Sequence, residues 1–294
     1  MKFKNKIQIV TLLLALVFAS YSFAKSPVFK ISKGDDQVYV GGTIHLLSPD
    51  DYPLPKAFQQ AFEASEHVYF EANIEQFSLP EVQAKMTASM ALPEGQSLKT
   101  TLNEDTYAQL ETFLTERNIP IAAFDQLSPA AVSLSLTVIE LQRLGLGNPA
   151  SGVDQYYTLK TKDAEKEPFY LETLDEQIGF ISEINEAEPN LVISSSLESL
   201  VDLNSNWEKG LSAWREGDLE AMGASLGSEE MKADFPGVYK VLLTDRNERW
   251  LVEIKEMFNS EEVELVLVGA LHLTDEDGLI EQLKEDGYTV EQLD

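Results

Sequence analysis

Apolar and polar residues alternate with period two over two adjoining stretches, Val28 to Ser32 and Gln37 to Gly41. Gly34-Asp35-Asp36 between them is turn chemistry, so the pattern predicts a β-hairpin. From Ala57 to Ser65 the spacing becomes helical, with Phe58, Ala61 and Phe62 on one side. His67 to Glu71 returns to strand alternation and ends on a carboxylate. Near the other terminus Glu262 to Val268 reads as a strand and Gly269 to His272 as a loop. Asp275 to Glu285 follows as a helix, with Thr274 as N-cap and Asp277 three residues on. Gly287 stops that helix, and Tyr288 to Leu293 is another strand. Both ends therefore read strand, loop, helix, strand.

The segment between them is mostly helical in pattern. Glu104 to Arg117 is amphipathic. Ser128-Pro129 opens a helix over Ala130 to Leu144, which Gly145, Gly147, Asn148 and Pro149 end. Pro168 to Leu171 reads as a short buried strand, and Asp175 to Ile184, Leu191 to Glu216 and Tyr239 to Phe258 as further helices. No linker rich in Gly, Ser or Pro divides the chain. The expected fold is α/β: a mixed sheet built from the N- and C-terminal units, with a large helical insertion over about residues 75–260, all within one domain at 25–294.

Residues 1–24 are set apart. Lys2, Lys4 and Lys6, the apolar run Ile7 to Ala19, and Ser22-Phe23-Ala24 make the three parts of a secretory signal peptide. The apolar run is shorter than the roughly 20 residues that span a bilayer. An exported protein, periplasmic or secreted and without a membrane anchor after cleavage, is expected. The sequence carries 50 acidic and 22 basic residues, a formal charge of −28 that becomes −31 without those three lysines. Such a surface excludes nucleic acid as a partner, since phosphate must be met by Lys and Arg. Absence of cysteine excludes thiol nucleophiles, thiolate metal sites and disulfides, so the core must hold the fold.

One short pattern occurs twice. Val40-Gly41-Gly42-Thr43-Ile44-His45-Leu46 and Leu267-Val268-Gly269-Ala270-Leu271-His272-Leu273 are each a strand-like run followed by Gly-x-x-His, and they use two of the chain's three histidines. Ligands of open α/β sheets sit at the carboxyl ends of strands, so the two imidazoles are expected to converge there. Glu71, at its own strand end, would complete two histidines and a carboxylate, an open ligand set for a first-row divalent metal. Glu172 after the Pro168 strand is a candidate ligand, general base or helix cap. Asp154 in Ser151-Gly152-Val153-Asp154 is either a capping carboxylate or a site residue. Arg246 and Asn247 could hold a substrate carbonyl or carboxylate, or make helix-face ion pairs. Gly42 and Gly269 permit close backbone approach to a substrate, and His67 reads as structural. No Gly-x-Ser-x-Gly elbow, phosphate loop or His-Glu-x-x-His helix is present.

Gly42-Thr43-Ile44-His45, the strand ending in Glu71, Ser151-Gly152-Val153-Asp154, Leu171-Glu172-Thr173 with Glu176-Gln177, Arg246-Asn247 with Trp250, and Gly269-Ala270-Leu271-His272 stand in an order that resembles the TraB/GumN family. That family includes the TIKI metalloproteases and pheromone-shutdown proteins. The resemblance covers about Val28 to Leu293 and implies a fold related to erythromycin esterases and ChaN-like proteins. By the TIKI branch it implies a peptidase using manganese or cobalt, with zinc or iron as further options. His45 and His272 would be ligands, Glu71 ligand or base, and Glu172, Asp154, Arg246 and Asn247 site-lining residues. A metal-dependent hydrolase acting on peptides or small molecules is therefore expected. A haem- or metal-binding protein without turnover and an acidic protein that sequesters basic peptides are the alternatives.

Overall fold

The computed structural model describes residues 25–294 apart from residue 186, so the signal-peptide reading lies outside the described residues. Six strands form one sheet: β1 (Val28–Lys33), β2 (Asp36–Thr43), β3 (His67–Phe70), β4 (Pro168–Tyr170), β5 (Glu264–Gly269) and β6 (Thr289–Gln292). Their order is β4-β3-β5-β2-β1-β6. β4, β3, β5 and β2 run parallel, while β1 is antiparallel to both β2 and β6. The fold is thus α/β with a mixed sheet and a large helical middle, as the patterning predicts.

Alternation along the central strands decides the layers. Tyr39, Leu265 and Leu267 face a core made with the Lys56–Ala64, Val153–Asp163 and Leu203–Glu216 helices. Val38, Val40, Val266 and Val268 face the opposite side, against the Asp245–Met257 and Leu279–Glu285 helices. Burial on both faces explains why β5 is a nearly continuous apolar run. The crossover from β2 to β3 and that from β5 to β6 travel in opposite directions along the sheet. Right-handed crossovers then require their helices on opposite faces, as found. The middle of the chain has its own all-helical core around Leu110, Leu114, Val132, Leu136 and Ile193.

Local expectations need correction at four places. Thr274 does not cap a helix from Asp275; its hydroxyl donates to the Leu271 carbonyl, and Asp275 has φ 65°, outside the helical region. The helix begins at Leu279. The Leu191 to Glu216 stretch is two helices, Pro189–Ser199 and Leu203–Glu216. Leu200 at the turn is drawn into the helical core, so the apolar spacing runs across the break and hides it. β4 is a half-buried edge strand, not a buried one, because only β3 flanks it. The Tyr239 to Phe258 helix contains a π-turn at Lys240–Thr244.

Candidate functional site

All four parallel strands deliver a polar residue at one edge. β2 ends at Thr43 with His45 two residues on, β3 runs into Glu71, β4 into Glu172, and β5 into the Gly269 to His272 turn. Backbone pairing continues past the strands, with Glu172 N–H donating to the Glu71 carbonyl at 2.8 Å, which sets the two carboxylates side by side. Gly269 marks the meeting point of the two motifs. A Cβ there would stand 3.1 Å from Glu71 Oε1, 3.4 Å from His45 Nε2 and 3.6 Å from His272 Cδ2. Only a glycine leaves that space free. A cleft of about 350 Å³ opens over His45, Glu71 and Asp154.

Each imidazole is fixed through Nδ1. His45 Nδ1 donates to Asp154 Oδ2 at 2.6 Å, and Thr43 Oγ1 donates to the other Asp154 oxygen at 2.9 Å. His272 Nδ1 lies 2.7 Å from Asn247 Oδ1. The Asn247 amide nitrogen donates to the carbonyls of His272 and Asp277, so its oxygen is the acceptor and Nδ1 carries the proton. His45 is 60% exposed at its side chain, whereas His272 is buried against the Trp250 ring at 4.4 Å.

Arg246 occupies the centre. It donates to Glu71 Oε2 at 2.6 Å, to Glu172 at 2.8 and 3.0 Å, to the Leu242 carbonyl at 3.1 Å and to His272 Nε2 at 3.0 Å. The side chain of Glu172 is fully covered and also accepts from Gln177 and Arg249. Glu71 Oε1 accepts the Gly269 N–H at 2.6 Å.

These contacts set the charges. Asp154 pulls the His45 imidazole up to about 9. Burial pushes His272 down to about 3, with Arg246 and His45 acting in the same direction and Glu71 opposing. Burial would raise Glu71, but Arg246, the two histidines and the Gly269 N–H together hold it well below the usual carboxylate range. At neutral pH the site therefore holds an imidazolium at 45, a neutral imidazole at 272 and an ionised Glu71.

The sequence-predicted residues sort accordingly. His45, Glu71, Glu172, Arg246, Asn247, Asp154, Gly269 and His272 come together. Asp154 is not a mere cap, since both its oxygens hold the first motif. Glu172 does not cap the next helix, a task that falls to Thr173, and it sits behind Arg246 away from the cleft lining. Arg246 and Asn247 are 6% and 2% exposed, and their hydrogen bonds run to other groups of the protein. Gly42 packs against Ala270 and Leu273 and takes no part in the cleft. His67 packs at a tilt of 53° against Phe169, outside the site. Sequence reasoning gave no role to Thr43 or to Arg249, one turn beyond Arg246.

A divalent ion held by His45, His272 and Glu71 can be tested on this geometry. The donor chemistry fits once His45 gives up a proton to the incoming ion: both Nδ1 atoms are engaged in the manner of outer-shell partners, which leaves each Nε2 toward the shared space, and Glu71 stays ionised. Among the described residues no three His, Asp or Glu side chains are yet gathered around one ion position. An ion between the motifs would take over the His272 lone pair that Arg246 uses.

The four parallel strands of this mixed sheet gather polar groups at their carboxyl edge, the place where open α/β sheets hold ligands. The chain belongs to the TraB/PrgY/gumN family, whose model matches residues 27–292. No significant match was found among curated proteins or solved structures.

Proposed function

We propose that this protein is an exported metal-dependent hydrolase that cleaves peptide or comparable acyl bonds in the cleft over His45 and Glu71. The observation that carries the reading is the delivery of two Nδ1-anchored imidazoles, from opposite ends of the chain, to one carboxylate at the sheet edge. His45, His272 and Glu71 would hold the ion, with manganese or cobalt favoured by likeness to the TIKI enzymes. Bound there, the ion would polarise the scissile carbonyl and lower the pKa of water toward about 7.

The chain's own residues supply the rest. Asp154 and Asn247 fix the rings, and Arg246 neutralises Glu71 and Glu172 so that two carboxylates can share a confined site. Glu71 would accept the proton of the attacking water. It is held so far below its ordinary pKa that it is a weak base, which suits only a water that is already acidified. Glu172, covered by Arg246, cannot serve. Export rests on the signal-peptide pattern of residues 1–24.

Metal analysis of the purified mature protein, with a peptide digest run with and without chelator, tests the proposal. Roughly stoichiometric metal and chelator-sensitive cleavage are expected, both lost in His45→Ala and in His272→Ala; full activity in the double variant sinks the scheme.

One observation favours a second, metal-independent reading: Arg246 already supplies the cation at His272 Nε2, and His45 backed by Asp154 is the exposed acid–base group. Cleavage would then survive chelator. Its rate would rise toward pH 9 as His45 loses its proton and becomes a general base.

A further inference from the structure

We infer that Ile74 and Phe77 form the subsite for an apolar side chain of the substrate, beside the bond that is cut; this rests on the hydrolase reading above. β3 leaves the sheet at Glu71 and turns into a short helix at Ile74–Ser78, whose start is held by Asn73 Oδ1 accepting the Glu75 N–H. In this three-residue turn, positions i and i+3 eclipse, so Ile74 and Phe77 stand one above the other. Both line the cleft next to Glu71 and are half-buried, leaving an apolar wall three to six residues from the charged centre.

The same cleft is also lined by Gln155 and Gln177, two neutral amides. Gln177 donates its NH₂ group to Glu172 at 3.0 Å and to Glu71 at 3.4 Å, while among the described residues neither glutamine oxygen accepts a hydrogen bond. In a chain with 50 acidic residues, the cleft lining beyond its charged floor of His45, Glu71 and Asp154 bears no charge. Apolar side chains and glutamine oxygens without a donor in one cleft match a peptide segment: the side chain on Ile74 and Phe77, the backbone N–H groups on the glutamine oxygens. A volume of about 350 Å³ is at the small end of the roughly 300–1,000 Å³ usual for ligand pockets, enough for one large residue and its flanking amides.

The test measures binding and cleavage separately. N-acetyl-phenylalaninamide, N-acetyl-leucinamide and N-acetyl-glycinamide are titrated by NMR into wild type, Phe77→Ala and Phe77→Leu, and a peptide library is digested by the same three proteins. The wild type should bind the two apolar probes at least about tenfold more tightly than the glycine probe, the scale set by hydrophobic pocket contacts. Phe77→Ala should lose that preference with its glycine affinity unchanged, and Phe77→Leu should keep most of it. Equal binding of all three probes by wild type, or an unaltered preference in Phe77→Ala, overturns the subsite. Apolar preference without cleavage of any peptide overturns the hydrolase reading and leaves the subsite standing. Cleavage with no side-chain preference does the reverse.

Discussion

At the scale of single residues, the site is organised by buried groups whose hydrogen bonds run to one another. Asn247 shows this best: its oxygen receives the His272 Nδ1 proton, and its nitrogen ties the second motif's turn to the Asp277 carbonyl. Replacement by leucine keeps the bulk and removes the acceptor, so the imidazole loses its fixed tautomer. Outer-shell changes of this kind cost about 10–100-fold in metal affinity or activity. Asn247→Leu should lose that much in a divalent-metal titration while its far-UV circular dichroism stays that of wild type; undiminished affinity would remove Asn247 from the site. Asn247 also marks the limit of what the chain reveals. His45, Glu71 and His272 were legible because strand ends and a repeated glycine spacing announce a carboxyl-edge site. The roles of Asn247, Arg246 and Asp154 were not, because whether a helix-borne polar group faces a ligand or a neighbouring side chain depends on contacts to residues 25 to 175 positions away along the chain. Their presence in the site could be read; the job of each could not.

At the scale of elements, regular spacing was readable and departures from it were not. The loop from Thr274 to Gly278 has the composition of a helix start, yet Tyr239 donates to Asp275 and Asp277, and Thr244 donates to Asp277. Those bonds come from the π-turn side of the Asp245–Met257 helix and hold the loop open, which in turn presents His272 to Asn247. Nothing local in the sequence signals a contact of that kind. The helical middle shows the other dependence, on buried charge. Glu140, on the Pro129–Leu144 helix, is buried and accepts from Arg117 at the end of the Glu104–Glu116 helix and from Arg143 on its own helix. Burial alone would raise its pKa, but the two guanidinium groups outweigh it and hold the carboxyl below its ordinary 4.5. Its stabilising contribution is therefore complete above the unfolded value near 4.5 and disappears as pH falls through the folded one. Removing one partner of a buried pair costs about 3–5 kcal/mol; with Arg117 and Arg143 partly solvated, the lower end is expected for Glu140→Ala. Urea midpoints at pH 7 and pH 3 should show a wide gap between wild type and variant that narrows in acid. A gap independent of pH would mean the carboxyl acts only as packing.

At the scale of the whole molecule, two facts pull against each other. The sheet needs both ends of the chain, since β1 pairs with β6 and the two His-bearing motifs flank each other on β2 and β5. The residues brought together so closely belong to a chain with 50 acidic and 22 basic side chains. Even if every Lys and Arg found a partner, most carboxylates would have none, so folding compresses net negative charge into a compact body. Added salt has two opposing effects here. It screens exposed pairs such as Lys85–Asp175 and Lys284–Glu281, each worth only about 0–1 kcal/mol, and it screens repulsion among the surplus carboxylates. The buried Arg246 and Glu140 pairs lie within the protein, where screening is weaker. Repulsion involves many more charges than the exposed pairs do, so its relief wins. The melting temperature of the mature protein should rise between 20 mM and 500 mM sodium chloride at pH 7.5, most steeply at the low end, where the Debye length shrinks from roughly 20 Å to below about 8 Å. Differential scanning fluorimetry across that series decides the matter: a flat or falling curve would show that local pairing, not net charge, governs the stability of this acidic fold.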